Sequence, residues 1–360
     1  MSVNSAAATQ KLVNKSIMKH FPKVELHRHL EGTFALETLF RIARQNNIGL
    51  SDDFAEFKTQ VQFPRDSEPD FLTFLSKFRN DWYRSHQDVY DIVHDSVAEM
   101  AEDGIHYIEL RFSPEHFSHY NNFDREEITR LVIQAANTAA KEAGFTIRYL
   151  LTFNRSKQDQ YEMIKLYDRM RELDIPEIIG IDLAGDEKGD PPENFTEFFA
   201  HVKQDNRYKI TIHAGEVTPS QQIWFSIDNL HADRIGHGVS AIHDPEVQQE
   251  LIKRDVALEQ CITSNYQTGS WADEQNHPLG ALYRAGVPVT INSDDPFIQD
   301  TDLTDDYIKT VEYFGFTLED LINLNHIAIR TSFLPDQEKT TMLQSYDEQV
   351  QRFVTTYLKD

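Results

Sequence analysis

Near its N-terminus the chain reads KVELHRHLEG over residues 23–32. The pattern predicts a short strand that opens into a turn at Gly32. Because successive side chains of a strand point to opposite faces, His27 and His29 lie on the same face, close together. Packing explains two such imidazoles poorly, since each brings a polar nitrogen that needs a partner. The pair favours two ligands of one cation, although a bare HxH also recurs by chance.

Short β-rich runs recur along the rest of the chain, and amphipathic stretches lie between many of them. Alternating β and α elements imply parallel strands, and eight of them predict a (β/α)8 TIM barrel of the α/β class. A doubly wound sheet would need a glycine-rich phosphate turn after an early strand, which the sequence lacks. The predicted strands are 24–29, 105–112, 146–153, 178–183, 209–214, 233–236, 256–261 and 287–292, and the predicted helical segments include 125–143, 158–173, 245–254 and 279–285.

The domain organisation that we predict is a flexible N-terminal tail, residues 1–16, followed by a single barrel domain, residues 17–360. Extra helices are expected in the long first crossover, residues 33–104, and at the C-terminus after Asp300. The phenylalanine-rich part of that crossover, residues 71–82, could form a lid over the barrel mouth or could only extend the helical shell.

The composition excludes several classes of partner. The chain has 40% hydrophobic and 26% charged residues, as ordinary globular proteins do, and a formal net charge of −24. That charge argues against nucleic acid or an anionic membrane as partner and does not choose between neutral and cationic small molecules. Cys261 is the only cysteine, so neither an intrachain disulfide nor a cysteine zinc site can form. Without a signal-like or membrane-spanning apolar run, we expect a cytoplasmic location. Nothing predicts an oligomeric state.

Polar clusters fall at the C-terminal ends of the predicted strands, where TIM-barrel active sites lie. Three imidazoles and one carboxylate would suit Zn²⁺ and leave room for a water whose pKa the metal lowers to about 7. If these clusters were only structural, each of their residues would have to be a buried polar residue with its hydrogen bonds satisfied. The clusters are His27 and His29 after strand one, Gly185 after four, His213 and Glu216 after five, His237 after six, and Asp294 and Asp295 after eight.

The other histidines, His277 among them, lack such a partner pattern and are predicted to be surface or packing residues. Glu216 lies three residues past a candidate ligand and could exchange a proton with a substrate. His237 and Asp295 could orient the attacking water or the substrate.

Six motifs, PKVELHRHLEG, DLAGDE, HAGE, RIGHG, TSNYQTG and NSDDP, resemble those of the adenosine and adenine deaminase family of the amidohydrolase superfamily. The resemblance covers residues 18–355 and is closest to the adenosine deaminases. It implies a hydrolase that attacks purine C6 with water and releases ammonia. It also implies one Zn²⁺ per chain, bound by His27, His29, His213 and Asp294.

The same resemblance implies roles for the remaining residues. Glu216 would donate a proton to the purine N1, and His237 would hold the attacking water. Asp295 and the backbone of Gly185 would contact purine nitrogens, with His29 also beside the substrate.

Glu31 is where the sequence departs from typical adenosine deaminases, which have at this position an aspartate that meets the ribose. Glutamate is more usual in adenine deaminases and aminodeoxyfutalosine deaminases, whereas RIGHG and SNYQTG look more like adenosine deaminases. We therefore expect deamination of adenosine and 2′-deoxyadenosine, with Glu31 meeting the sugar and the two other activities as alternatives. Glu31 could instead cap the following helix.

Two other classes of function stay open at this point. A dinuclear amidohydrolase would bridge its metals with a carboxylated lysine or a carboxylate on strand four, but residues 178–183 contain no lysine. A non-catalytic purine-binding protein is the second alternative, and no presumed catalytic position is lost that would favour it.

Overall fold

The computed structural model describes residues 6–63 and 67–359. Eight parallel strands form one sheet in sequential order, each paired with the next along the chain. The predicted barrel is confirmed, and each predicted strand agrees with the observed one to within two residues. The strands are β1 Lys23–His29, β2 Ile105–Phe112, β3 Thr146–Asn154, β4 Ile178–Ala184, β5 Lys209–Ala214, β6 Arg234–His237, β7 Ala257–Gln260 and β8 Val289–Ile291.

The two edges of the sheet meet through a bridge between Arg28 of β1 and Asp294, just beyond β8. The His29 amide donates to the Asp294 carbonyl at 2.9 Å, and the Asp294 amide donates to the His27 carbonyl at 3.1 Å. Barrel closure therefore places the first histidine pair directly beside the acidic segment at the other end of the fold.

Helices form the outer layer around this sheet. Their ends follow local signals: α8 begins after Asp124, whose side chain accepts from the Glu127 amide, and ends at Gly144 in the left-handed region. The predicted helical segments are confirmed as α8, α9, α12 and α14. The helices are α1 Ala6–Leu12, α2 Lys15–Met18, α3 Leu36–Gln45, α4 Phe54–Val61, α5 Phe71–Leu75, α6 His86–Glu99, α7 Pro114–His119, α8 Arg125–Ala143, α9 Gln160–Glu172, α10 Thr196–Asp205, α11 Gln221–Asp228, α12 Pro245–Arg254, α13 Ile262–Gln267, α14 Leu279–Arg284, α15 Pro296–Gln299, α16 Leu303–Phe314, α17 Leu318–Thr331 and α18 Asp336–Phe353.

The N-terminal segment is more ordered than the sequence predicted. Ala6–Leu12 and Lys15–Met18 are helices, and Leu12 is 1% exposed within the hydrophobic core. A buried leucine anchors the segment, so a flexible tail over residues 6–16 is wrong, whereas residues 1–5 lie outside the described part of the chain. The single-domain boundary at residue 17 stays a prediction.

The extra helices predicted in the first crossover are α3 to α6, and those after Asp300 are α16 to α18. Within the crossover, Phe71, Phe74 and Phe78 line a cavity at the barrel mouth, while Trp82 is 1% exposed in the core. The segment thus covers the mouth with its first half and extends the shell with its second. Among the described residues, no helix is long and apolar enough to cross a membrane.

Candidate active site

A cavity of about 670 Å³ opens at the C-terminal ends of the barrel strands. The sequence predicted nine site residues, and eight of them line this cavity. The ninth, His27, is fully buried and packs edge to face against the rings of His29 and His213. The cavity-lining members are His29, Glu31, Gly185, His213, Glu216, His237, Asp294 and Asp295.

Two of these side chains leave the barrel from backbone that non-glycine residues rarely adopt. His237 has a φ of 58° and Asp294 a φ of 64°. Such conformations cost free energy and persist only where the surroundings hold them. The Gln260 side chain donates to the His237 carbonyl, and Ser264 Oγ donates to Asp294 Oδ2 at 2.6 Å. The turns that end β6 and β8 are therefore held in the conformation that directs both side chains into the site.

Two glycines of the sequence motifs allow close approach within the site. A Cβ on Gly32 would lie 1.8 Å from Asp295 Oδ1, and one on Gly236 would lie 3.1 Å from His27 Cε1. The turn after β1 and the strand β6 can therefore approach the site residues only because these positions carry no side chain.

The side chains at the base of the cavity form a tight cluster of nitrogen and oxygen atoms. His29 Nε2 lies 3.2 Å from His213 Nε2, and Asp294 Oδ1 lies 3.1 Å from His27 Nε2 and 3.4 Å from His29 Nε2. Among the described residues, neither His27 Nε2 nor Asp294 Oδ1 has a hydrogen-bond partner, although both are buried. Buried polar atoms are normally paired, so a cation among them would satisfy both.

Proximity alone does not identify the ligands of such a cation. Ligand atoms of His27, His213, His237 and Asp294 lie within 4.8 Å of one another, and His29, Asp182 and His213 form a second, overlapping group. All of these residues are buried. Three imidazoles and one carboxylate form a donor set that suits Zn²⁺. Beside His27, His213 and Asp294, the third imidazole of this set can be that of His29 or that of His237.

The Nδ1 atoms of His27 and His213, which point away from the cluster, indicate which ring nitrogen carries the proton. His27 Nδ1 lies 2.6 Å from Glu259 Oε2, and His213 Nδ1 lies 2.9 Å from Asp182 Oδ1. A carboxylate accepts a hydrogen bond, so each Nδ1 carries the proton and each Nε2 directs its lone pair into the cluster. This is the arrangement of histidines that bind metals.

Both supporting carboxyls are held in the ionised form. Burial alone would raise the pKa of Glu259, but Arg111 and Arg234 hold it well below its usual range. Burial likewise opposes ionisation of Asp182, whose pKa His213 and Arg111 nevertheless lower. Arg111 Nη2 donates to Glu259 Oε2 at 2.8 Å, and both side chains are fully buried.

Glu216 has the opposite environment. Burial, followed by the charges of Glu187 and Asp294, raises the pKa of the Glu216 carboxyl well above its usual range. Its Oε1 accepts from Thr268 Oγ1 at 3.0 Å, and its Oε2 lies 3.6 Å from His237 Nε2. A buried carboxyl with a raised pKa, at the wall of a cavity, can act as a general acid.

Glu31 lies at the cavity wall, and only one of its two carboxyl oxygens accepts a hydrogen bond from the described residues. Its Oε1 accepts from the Ser113 amide at 2.6 Å, and its Oε2 is buried without a hydrogen-bond partner in the described residues. Burial raises the pKa of this carboxyl to about 7. The following helix, α3, has Ala35 as its N-cap and no side-chain cap, so the interpretation of Glu31 as its cap is wrong.

Asp295 resembles Glu31 in having a buried oxygen, Oδ1, without a hydrogen-bond partner among the described residues. Burial, followed by the charge of Asp294, raises the pKa of the Asp295 carboxyl well above its usual range. Gly185, across the cavity, has a φ of 108° and exposes its backbone there. These groups leave hydrogen-bonding capacity for a polar ligand.

Several residues that support the site were not singled out from the sequence. Asp182 and Glu259 lie inside the buried strands β4 and β7, and an acidic residue within a strand run is the signal that could have revealed them. Glu187 accepts from the Glu216 amide at 3.2 Å and from Thr218 Oγ1 at 2.6 Å, which holds the turn that carries Glu216. Asn265, in α13, directs its amide nitrogen to His237 Nδ1 at 3.1 Å.

Comparisons with known proteins agree with this architecture. A family model described as Adenosine deaminase matches residues 22–349. An adenosine deaminase of Shewanella denitrificans is 32% identical over 331 residues, covering 91% of this chain and 98% of the relative. The solved adenine deaminase of Arthrobacter aurescens has a TM-score of 0.83 at 27% identity, covering 92% of this chain and 99% of its own. An amidohydrolase of Burkholderia ambifaria, solved with bound zinc, has the same fold, with a TM-score of 0.86 at 21% identity over 99% of this chain and 96% of its own.

Proposed function

Since the chain belongs to the adenosine deaminase family of hydrolases, we propose that it deaminates adenosine and 2′-deoxyadenosine hydrolytically, with one bound Zn²⁺, to inosine products and ammonia. The observation that carries the proposal is the position of Glu216, a buried carboxyl with a raised pKa, beside a buried cluster of histidines and Asp294 in one cavity. A general acid next to a cation site is what attack by water on a ring carbon requires.

His27, His29, His213 and Asp294 would hold the zinc ion. The free lone pairs of His27 and His213, together with the unpaired Asp294 Oδ1, support this set. When bound, zinc would lower the pKa of a coordinated water to about 7 and so supply hydroxide at neutral pH. β4, Ile178–Ala184, has no lysine, and its one carboxylate, Asp182, accepts from His213 Nδ1 at 2.9 Å, which favours one metal over two.

The chain's own residues would bind and protonate the purine. Glu216 would donate its proton to N1 as the nucleophile adds at C6, and His237 would hold the attacking water. Asp295 and the backbone of Gly185 would contact ring nitrogens, and His29 would lie against the substrate. Protonation at N1 makes C6 more electrophilic. Of the two protons of the attacking water, one would go to the 6-amino group, which leaves C6 as ammonia, and the other would restore the Glu216 carboxyl.

The sugar is the part of the substrate for which Glu31 matters most. Its free Oε2 is an acceptor at the cavity wall, and a ribose hydroxyl is a natural donor to it. A cavity of about 670 Å³ is within the range of small-molecule sites and accommodates a nucleoside. Adenine deamination is the alternative that the Arthrobacter relative favours, and aminodeoxyfutalosine is a further alternative substrate. A cytoplasmic location, and a partner range without nucleic acid or membrane, stay predictions.

The test is ammonia release from adenosine, 2′-deoxyadenosine, adenine and aminodeoxyfutalosine by the zinc-loaded wild type and by Glu31→Ala. We expect wild-type turnover of the two nucleosides and about one zinc per chain. Losing one charged hydrogen bond should raise the KM of Glu31→Ala for adenosine by about 10- to 150-fold, and for adenine far less. The exposed Glu193→Ala serves as the matched control.

The possible outcomes distinguish the alternatives. Equal losses on adenosine and adenine would remove Glu31 from the sugar site. Wild-type turnover of adenine without turnover of adenosine would overturn the adenosine assignment, and a metal content near two per chain would favour a dinuclear enzyme. Binding of adenosine without turnover of any of the four would favour a purine-binding protein.

A further inference from the structure

We propose that Asn265 and His277 are positioning residues that fix the tautomer of His237, so that His237 presents an N–H group, and not a lone pair, to the reacting atoms. The inference rests on the proposed deaminase reaction and deepens it, because it restricts what His237 can do there. It rests on three consecutive hydrogen bonds. The first donor is a backbone amide, which determines the donor and the acceptor of each hydrogen bond that follows.

The first hydrogen bond determines the tautomer of His277. The Leu279 amide, at the first residue of α14, lies 3.2 Å from His277 Nδ1. An amide N–H can only donate, so Nδ1 must accept and the proton of a neutral imidazole must be on Nε2. His277 is 3% exposed, and burial, with the nearby charge of Lys309, lowers its pKa to about 3. The ring is therefore neutral at neutral pH.

The second hydrogen bond orients the Asn265 side chain. His277 Nε2 lies 3.0 Å from Asn265 Oδ1, and since Nε2 carries the proton, Oδ1 accepts it. The amide nitrogen Nδ2 is thereby turned the other way, toward His237. Asn265 is fully buried, and its own carbonyl accepts from the Trp271 amide at 2.8 Å and from Ser270 Oγ at 3.0 Å. Backbone and side chain are both fixed.

The third hydrogen bond reaches the site. Asn265 Nδ2 lies 3.1 Å from His237 Nδ1, and an amide NH₂ group can only donate. His237 Nδ1 must accept, which leaves the proton of its neutral ring on Nε2. That nitrogen lies 3.6 Å from Glu216 Oε2 and 3.8 Å from Asp294 Oδ2. An N–H group therefore points between the candidate general acid and the candidate metal site.

The rings of His27, His213 and His237 therefore present different groups to the site. His27 and His213 have carboxylates at Nδ1 and offer lone pairs at Nε2, whereas His237 has a donor at Nδ1 and offers a proton. His237 is thus unsuited to bind the cation, although its Nε2 lies in the same 4.8 Å group. It can hold an attacking water by donating to the oxygen, but it cannot remove a proton from that water, because its Nε2 is already protonated.

The kinetic test compares His277→Ala with His277→Gln in the full-length, zinc-loaded protein. Glutamine can place an amide donor near the position of the ring Nε2, so His277→Gln should keep kcat within a few-fold of wild type. His277→Ala lets the Asn265 amide rotate and should lower kcat by roughly 10- to 100-fold, the range for outer partners of site histidines, with KM and zinc content unchanged. His243 also packs on Trp271, and His243→Ala is the matched control with unchanged kcat.

The tautomer itself is read by nitrogen NMR of histidine-labelled protein, with His237 assigned by the loss of its signals in His237→Gln. We expect an unprotonated Nδ1 and a protonated Nε2 in wild type, and a mixture of tautomers in His277→Ala. A protonated Nδ1 in the wild type would overturn the inference, and so would a wild-type kcat in His277→Ala. If His277→Ala does not fold, the wild-type spectrum still decides. If the wild type shows the expected tautomer but is inactive on every nucleoside, only the deaminase proposal is overturned.

Discussion

Glu216 and Asp294 are two buried carboxyl groups of one cavity whose pKa values are shifted in opposite directions. Burial opposes ionisation of both, but the pKa of Asp294, in the histidine cluster, lies well below its usual range, and Ser264 Oγ donates to its Oδ2 at 2.6 Å. Glu216 has acidic neighbours, Glu187 and Asp294, that add to the effect of burial and raise its pKa. Two carboxyls with pKa values moved apart are the usual sign of separate acid and anion roles.

We expect Glu216→Gln to keep its bound metal and to lose turnover by at least the roughly 10²–10⁴-fold typical of a general acid. Glutamine preserves the shape and can still accept from Thr268 Oγ1, but it has no acidic proton to give to the purine. Steady-state kinetics and metal analysis measure the two effects, with the exposed Glu193→Gln as control. Loss of zinc from Glu216→Gln would instead make Glu216 a metal ligand.

At the level of elements, different strands supply the candidate ligands and the carboxylates that orient them. The candidate ligands His27 and His213 come from β1 and β5, while β7 and β4 supply the carboxylates Glu259 and Asp182 that hold their rings. The register of β4 and β5 pairs Asp182 with Thr211, two residues before His213, so the support comes from the adjacent strand. A strand-borne support is rigid, which a metal ligand needs for a fixed orientation.

Asp182→Asn should therefore weaken metal binding by roughly 10- to 100-fold, the usual effect of losing an outer carboxylate. The amide can still accept from His213 Nδ1 but no longer carries the charge that strengthens this hydrogen bond and balances Arg111. Competition with a zinc chelator measures the affinity. Asp186→Asn, in the loop after β4, is the control, and an equal loss in both variants would count against the supporting role of Asp182.

At the level of the whole molecule, the candidate metal site joins distant parts of the chain. His27 and His29 leave β1, His213 leaves β5, and Asp294 follows β8, where it bridges to Arg28. A cation bound by all of them would link the two ends of the sheet to its middle. Such a ligand binds the folded barrel and not the unfolded chain, so it adds to the free energy of unfolding.

Removal of the metal with a chelator should lower the melting temperature by several degrees, and added Zn²⁺ should restore it. Free metal at about 1,000 times its dissociation constant would add roughly 4 kcal/mol to the free energy of unfolding. Calorimetry of the loaded, stripped and reloaded protein measures the change, with metal content checked in each sample. An unchanged melting temperature in verified metal-free protein would argue that the cluster does not hold the barrel together.

Much of the fold and the outline of the site could be predicted from local pattern. Strand and helix runs are short-range features of the sequence, and polar residues at strand ends, such as His213 and Glu216, follow from the same pattern. The tail prediction failed because the burial of Leu12 depends on packing against the distant core. The cap interpretation of Glu31 failed because its real partner, the Ser113 amide, lies 82 residues away.

The barrel, the family resemblance and the residues at the barrel mouth could be predicted from the amino-acid sequence alone, because alternation and motif order are properties of neighbouring residues. How these site residues differ from one another depends on contacts between distant parts of the chain. His27 lies near the end of β1 and His237 ends β6, but the first faces Glu259, 232 residues away, and the second faces Asn265. The partner at Nδ1 determines whether Nε2 carries a lone pair or a proton, and that partner is chosen by the closure of the barrel.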